Sequence, residues 1–571
     1  MLFSSLAELV TIGAVVPFVA VLVHPERIAQ MEGLNAFASR FGLDNLASAP
    51  LLIAALFIAM ATISMFLRLA LNYATRMWAL MANHDMATDL YQRILSQPFL
   101  FHCQHNSSEL ISALFKTTNV TNSVIQPMLQ ALVAIAISVG IVTALILIDP
   151  MVALAAGVLF SLIYVLISSL VRARLKRGGG RIAAAQTTRI QMLQEGLGSI
   201  RDIIVDGREF DTLHRFATLE RSLLRAQAEA QIISSAPRYL VETTGIVILV
   251  LLAVILTGQS DPGAALPTIG ALALAAQRLL PQAQQLYGGW ASITGNRRIV
   301  EDVLKFQALP KRDLLRQHPI SNDPGFHRTL RFEGVAFAYP GGATPVLQGI
   351  DLSIPRGSRV GVVGETGAGK STLVDLILGL LQPTEGRILI DDTVLGPINR
   401  RAWQDHLAHV PQTLFLADAS IAENIALGVP MQEIDLERVR RAASLAMLDR
   451  FIRDRPDGLW SRVGERGGTI SGGQRQRIGI ARALYHAPAV LVLDEATNAL
   501  DAATEQAVIE NLIRERPEIT VFMVTHRMES LRDCDLFIRV ENGTARVADS
   551  PGFDTAAVCF SDDPMQRRPF E

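Results

Sequence analysis

The run Gly364-Glu365-Thr366-Gly367-Ala368-Gly369-Lys370-Ser371-Thr372 has the composition and spacing of a phosphate cradle. Its three glycines let backbone amides curl around phosphate oxygens. Lys370 supplies a point charge for the terminal phosphates, and Ser371 offers a hydroxyl to Mg²⁺. An apolar strand, Arg359 to Val363, feeds the loop, and the helix that begins at Thr372 turns its N-terminus toward the anion. A second element is Val490-Leu491-Val492-Leu493-Asp494-Glu495. Four apolar residues make a buried strand with two carboxylates at its end. Asp494 is placed to hold Mg²⁺, directly or through water, and Glu495 to orient or deprotonate an attacking water. A third is Ser471-Gly472-Gly473-Gln474, a small-residue turn that opens a helix with Arg475, Arg477 and Arg482. It reads as a second anion-binding helix terminus.

Taken together with Ala499-Leu500-Asp501 and Thr525-His526-Arg527, these motifs resemble the ATP-binding cassette (ABC) family over residues 330–548. The resemblance implies roles. Tyr339 stacks on adenine, and the loop from Gly364 to Thr372 binds ATP. Gln412, in Val410-Pro411-Gln412, reaches Mg²⁺ and the attacking water, and His526 contacts the γ-phosphate. Glu465 lies in the segment that exporters press against their helical cytoplasmic loops. Each chain has one phosphate loop and one signature turn. In the family, the signature of one subunit closes over nucleotide held by the other. Ser471, Gly472, Gly473, Gln474 and Asp501 are therefore expected on the partner's ATP, in a symmetric homodimer.

The rest of the chain must position this machinery, and it is not that of a soluble enzyme. Of 571 residues, 50% are hydrophobic and 19% charged, with mean hydropathy +0.31; soluble domains carry about 25% charged residues. A net charge of −2 gives no footprint for nucleic acid. Cys103, Cys534 and Cys559 lie far apart and read as reduced thiols. Runs without charge suggest six spans near 2–23, 49–72, 127–148, 151–171, 240–257 and 264–287. Glu8 interrupts the first, whose start lacks the basic region and cleavage site of a signal peptide. The family's lead-in helix before the first span is not visible. The segment 172–238 is rich in Lys and Arg, while the links 148–151 and 258–263 carry neither. This asymmetry puts 172–238 and everything after the sixth span in the cytoplasm, and the loop 24–48, with a short amphipathic helix, outside. Breaks by Pro and Gly are few apart from Gly178-Gly179-Gly180, so helices should extend far beyond the membrane. Turns are expected at Phe101–Asn106, Gly196–Gly198 and Asp206–Arg208.

The expected architecture is a membrane α-helical bundle, the type I ABC exporter with six transmembrane helices, followed by an α/β P-loop ATPase domain. Its parts are a transmembrane domain over 1–305, a linker over 306–329, a nucleotide-binding domain over 330–548 and a polar tail over 549–571. Short stretches around Phe101-His102, Ala236-Pro237-Arg238 and Arg278-Leu279-Leu280-Pro281 are similar to flippases of lipid-linked oligosaccharides. Within the spans, Glu8 and Arg68 fall at depths that allow them to pair. Arg278 sits near the midplane of the sixth span, in a stretch without acidic residues. An unpaired charge there costs at least ~2.5–3.5 kcal/mol, so Arg278 is a candidate for lining a cavity that attracts an anion. The expected function is ATP-driven export or flipping of an amphipathic substrate, a lipid or lipid-linked oligosaccharide, across a bacterial inner membrane. Alternatives are an exporter of drugs, lipid A-type lipids or peptides, and, from another class, a non-hydrolysing ATP-gated regulator or channel.

Overall fold

Glycine and proline decide where several of the long helices touch. The computed structural model describes residues 49–148, 150–259, 262–312, 323–342, 344–464, 467–496 and 500–548. These fall into two units, one within Met1–Gln97 and Phe101–Leu314, the other within Pro98–Leu100 and Leu315–Glu571.

The first unit is helical: α1 (Ala49–Leu95), α2 (Phe99–Gln104), α3 (Ser107–Val120), a π-helical turn (Thr121–Ile125), α4 (Gln126–Ile148), α5 (Pro150–Gly198), α6 (Ile200–Val205), α7 (Glu209–Gln259) and α8 (Pro262–Gln307). The apolar stretches at 49–72, 127–148, 151–171, 240–257 and 264–287 lie in α1, α4, α5, α7 and α8. The span at 2–23 and the outer helix at 24–48 lie outside the described residues. The chain turns at the places marked for it. One break falls at His105-Asn106. Two more fall at Ser199 and at Asp206–Arg208, on either side of α6, and in the latter Gly207 takes φ +62°, open to glycine at no steric cost.

Gly178-Gly179-Gly180, by contrast, runs unbroken through α5. A Cβ at Gly179 would stand 1.6 Å from the Gly295 carbonyl oxygen of α8, and one at Gly289 would stand 2.9 Å from the Ala131 Cβ and 3.1 Å from the Pro127 oxygen of α4. Small residues here let helix backbones approach closely.

Two prolines inside helices show how this packing is completed. Pro237 has no N–H for the carbonyl of Ile233, four residues back. The Tyr287 hydroxyl of α8 donates to that oxygen at 3.2 Å. Pro127 likewise has no N–H for Ser123, and the Ser292 hydroxyl of α8 donates to the Ser123 oxygen. One helix thus serves both proline-freed carbonyls. Farther along, buried Lys116 of α3 donates to Asp302 of α8 at 2.6 Å and to Thr187 of α5 at 3.0 Å.

The second unit holds two sheets. β1 (Thr329–Phe337), β2 (Leu347–Pro355), β4 (Glu385–Ile390) and β5 (Thr393–Val394) form an antiparallel sheet in the order β2-β1-β4-β5. β3 (Arg359–Gly364), β6 (Leu407–Val410), β7 (Val490–Asp494), β8 (Thr520–Val524), β9 (Leu536–Glu541) and β10 (Thr544–Ala548) form the other, ordered β10-β9-β3-β8-β7-β6. All its pairings are parallel except β9 with β10. β7 and β8 are buried nearly throughout, as continuous apolar runs in a parallel sheet require. Helices α9 (Lys370–Ile377), α10 (Gly472–Tyr485) and α11 (Ala502–Glu515) carry the motifs.

Candidate nucleotide site

β3, β8, β7 and β6 lie side by side and point the same way. Register pairs Val362 with Val524, Asp494 with Val524, and Val410 with Leu493, so all four strands end at one level. The phosphate loop leaves β3 there, Gln412 follows β6, Glu495 follows β7 and His526 follows β8. Open α/β sheets bind ligands beyond the carboxyl ends of such strands. Residues separated by more than a hundred positions meet because the strand order brings them together.

In the loop, Gly367 and Gly369 take φ +86° and +108°, and Gly369 is the N-cap of α9. A Cβ at Gly364 would strike the Val540 oxygen at 2.2 Å. The Lys370 ammonium folds back over the loop and donates to the Gly364 oxygen at 2.7 Å and the Glu365 oxygen at 2.9 Å. Burial holds its pKa below the usual lysine range, against the pull of Glu495 and Asp494. Ser371 is exposed on the first turn, while Thr372 is buried and its hydroxyl lies 3.4 Å from that of Tyr339. Tyr339 thereby stands beside the loop helix, braced edge-on by Phe337 at 4.9 Å. The far end of α9 is fixed by fully buried Trp403, whose indole N–H donates to the Ile377 oxygen at 2.9 Å.

The Glu495 carboxylate sits between two partners. Gln412 donates to Oε2 at 2.6 Å, and His526 Nε2 lies 3.2 Å from Oε1. The Glu495 backbone takes φ +49°, a left-handed conformation uncommon outside glycine and costing about 1 kcal/mol or more. Its N–H donates to the Val524 oxygen at 2.8 Å, so β8 holds the turn that aims this side chain.

Sequence reasoning overlooked a third carboxylate. Burial, and then the charge of Asp494, push the Asp375 carboxyl up to about 6. Burial and Glu495 raise Asp494 as well, partly offset by Lys370. The signal was present in the sequence: Asp375 is an acidic residue within the apolar run that follows the phosphate loop. A crowd of partly buried carboxylates is stabilised by a divalent cation. The Ser371 hydroxyl, the Gln412 amide oxygen and Asp494 form the all-oxygen set that Mg²⁺ prefers. Those residues fit the ion, which would neutralise phosphate charge.

The signature turn is built as a cap. The Ser471 hydroxyl accepts from the Gln474 N–H at 3.2 Å, and Gln474 Oε1 accepts from the Ser471 N–H at 2.9 Å. This reciprocal capping box fixes the helix start with Gly472 and Gly473 on its first turn. The arginines of α10 are engaged elsewhere. Arg475 donates to Gly467, Arg477 to Met447, and Arg482 to Phe415 and Asn424. An anion at this turn would therefore meet backbone amides rather than free guanidiniums. Among the described residues, Ser471, Gly472, Gly473 and Gln474 make no hydrogen bond to the phosphate loop of their own chain. Asp501 caps α11 through Thr504. Arg527 donates to the Leu500 oxygen at 3.1 Å and ties the segment around His526 to the one before Asp501.

Of the remaining sequence candidates, Arg68 lies half-buried in α1. Arg278 lies in α8, with its side chain outside the description. Glu8 and Glu465 lie outside the described residues.

Fold and site define a P-loop ATPase unit of the cassette class joined to a helical membrane unit. The chain belongs to the ABC transporter family. Residues 347–498 match the ABC transporter family, and residues 19–274 match the ABC transporter transmembrane region. ABC transporter B family member 29, chloroplastic, of Arabidopsis thaliana is 30% identical over 462 residues, covering 79% of this chain and 72% of the relative. An ATP-dependent lipid A-core flippase of Cupriavidus pinatubonensis is 40% identical over 224 residues, a match that spans 38% of this chain and only 37% of that relative. A bacterial Atm1-family ABC exporter with ATP bound superposes with TM-score 0.75 at 23% identity, covering 95% of this chain and 93% of that one. This likeness shows the type I exporter fold.

Proposed function

We propose that the protein hydrolyses ATP to move an amphipathic substrate, a lipid or lipid-linked oligosaccharide, outward across a bacterial inner membrane. The observation that carries this reading is the Glu495 carboxylate, held between Gln412 and His526 at the strand edge that bears the phosphate loop. A regulator that only binds nucleotide has no use for a strained, aimed base with a histidine beside it. In this reading Tyr339 and the loop from Gly364 to Thr372 hold ATP. Ser371, Gln412 and Asp494 hold Mg²⁺, Glu495 takes the proton of the attacking water, and His526 contacts the γ-phosphate.

Two copies form a homodimer. The capped turn at Ser471, Gly472, Gly473 and Gln474, with Asp501, closes on ATP held by the other copy. The domains run as 1–305, 306–329, 330–548 and 549–571, with the nucleotide-binding domain in the cytoplasm and the membrane domain among lipids. A glycan or phosphorylated headgroup cannot cross hydrocarbon unaided, since each unpaired hydroxyl costs roughly 2–7 kcal/mol. Glu8, Arg68 and Arg278 are assigned to the substrate path, Arg278 as an anion contact. The flippase relative, named for lipid A-core, supports a lipid substrate.

The test is ATPase activity in nanodiscs together with flipping of fluorescent lipids in proteoliposomes, assayed from both faces. ATP-dependent outward movement of a lipid-linked sugar, with stimulation lost in Arg278→Ala, is the expected result. Absence of hydrolysis in lipid refutes the reading, and stimulation only by drugs or peptides refutes the choice of substrate.

A further inference from the structure

The first unit contains two adjoining cavities of opposite chemistry. One, of about 470 Å³, lies among the π-helical turn, α5, α7 and α8. Among the described residues, no charged one lines it. Its polar lining is made of amides and hydroxyls, and four of them, Asn122, Gln227, Gln231 and Ser234, make no side-chain hydrogen bond to the described residues. An amide offers both donors and acceptors, as a sugar hydroxyl does, whereas an ionic ligand calls for fixed charge. The volume is in the range of small-ligand sites, about 300–1,000 Å³.

The second cavity, of about 450 Å³, is lined by Arg174, Arg177 and Arg181 of α5 and by Glu229 of α7. Leu175 and Ala230 line both cavities, so the two share a wall. None of the three arginines makes an ion pair among the described residues, although a carboxylate lines the same space. Three guanidiniums against one carboxylate leave an excess of positive charge suited to a phosphate.

Position supports the pairing. Leu175 follows the apolar stretch 151–171 and Ser234 precedes 240–257. At about 1.5 Å per helical residue the three arginines lie roughly 5–15 Å beyond the hydrocarbon, starting at headgroup level, and Gln231 and Gln227 roughly 14–20 Å beyond it, on the cytoplasmic side. We propose that the two cavities together form a subsite for a phosphate-bearing glycolipid headgroup, with phosphate on the α5 arginines and uncharged sugar in the amide-lined space. The proposal rests on the transport reading above and narrows its substrate to lipids that carry both groups.

The test uses the full-length protein in neutral nanodiscs and three probes. Dodecyl maltoside, below its micellar concentration, has sugar without phosphate. Farnesyl pyrophosphate has phosphate without sugar. Farnesyl-pyrophosphate-linked chitobiose has both. Binding is measured by thermophoresis, and basal ATPase activity in parallel. The linked probe should bind at least about tenfold tighter than either half. The double variant Gln227→Leu/Gln231→Leu should weaken the two sugar probes about tenfold and spare farnesyl pyrophosphate. Arg177→Gln/Arg181→Gln should do the reverse. Gln227→Asn, which keeps an amide, should fold and retain sugar binding. Equal affinity of all three probes, or sugar binding unaltered in the glutamine variant, overturns the subsite. So does displacement of farnesyl pyrophosphate by phosphatidylglycerol at equal concentration, which would assign the arginines to resident lipid. Absent ATPase activity with intact probe binding would count against the transport reading instead.

Discussion

Gln412 donates its amide N–H to Glu495 Oε2 at 2.6 Å, joining the loop after β6 to the residue after β7. The contact places a neutral donor on the proposed base and leaves the carboxylate aimed along the strand edge. Glu495→Gln removes the base while keeping the shape. Turnover should fall by about 100- to 10,000-fold with ATP binding retained. Phosphate release and nucleotide binding measured on the same sample check this. Turnover within tenfold of wild type would remove Glu495 from the chemistry.

Asp375 gives a pH signature. Burial, and then the charge of Asp494, raise its carboxyl to about 6 in the folded protein, well above the usual aspartate range. Below about pH 3 both states are protonated. As pH rises toward 6 the unfolded chain loses its proton first, so stability falls, and it levels off above that. The full linkage value is roughly 3 kcal/mol, and solvent screening at a half-buried site reduces it to about 1 kcal/mol. Asp375→Asn should therefore raise the melting temperature of the nucleotide-binding unit at pH 7.5 and less at pH 5. An equal change at both values would assign the effect to packing.

Gly178 and Gly179, neighbours in α5, should respond differently to the same change. Gly179→Ala forces a methyl onto the Gly295 oxygen, so helix backbones must separate, at a cost of about 1–3 kcal/mol or more. Gly178→Ala meets nothing within 4 Å and replaces a poor helix former by a good one. Thermal stability of the two purified variants decides it. Equal behaviour would mean that α5 and α8 do not touch at Gly179.

The Tyr287 hydroxyl is useful because of Pro237. Tyr287→Phe leaves the Ile233 carbonyl without this donor and should cost about 1 kcal/mol. Pro237→Ala restores a backbone N–H, so the same Tyr287→Phe change made in that background should cost much less. A double-mutant cycle on unfolding midpoints measures the difference. Additive effects would show that the two residues act independently.

Much of this architecture is legible in the residues because its signals are local. Gly364 to Thr372, Val490 to Glu495 and Ser471 to Gln474 each combine a loop with the strand or helix that positions it. Gly207 is read correctly as a turn because a left-handed backbone is what glycine allows. The triglycine misleads for the opposite reason: the value of Gly179 lies in a neighbour more than a hundred residues away. The arginines of α10 mislead likewise, since only tertiary structure reveals the carbonyls that engage them. Asp375 is hard to see in the sequence because its perturbation comes first from burial and then from the charge of Asp494, brought near by strand order.

The most direct test of the account concerns how ATP sites are shared between copies. Lys370→Ala removes the phosphate-loop charge, and Ser471→Arg blocks the signature turn. Each homodimer should be inactive. A doubly tagged heterodimer of the two variants would gather both lesions at one site and leave the other intact. Recovery of ATP hydrolysis in that heterodimer is the predicted result. No recovery, with both variants folded and paired, would mean that each chain completes its own site, and the shared-site account would be wrong.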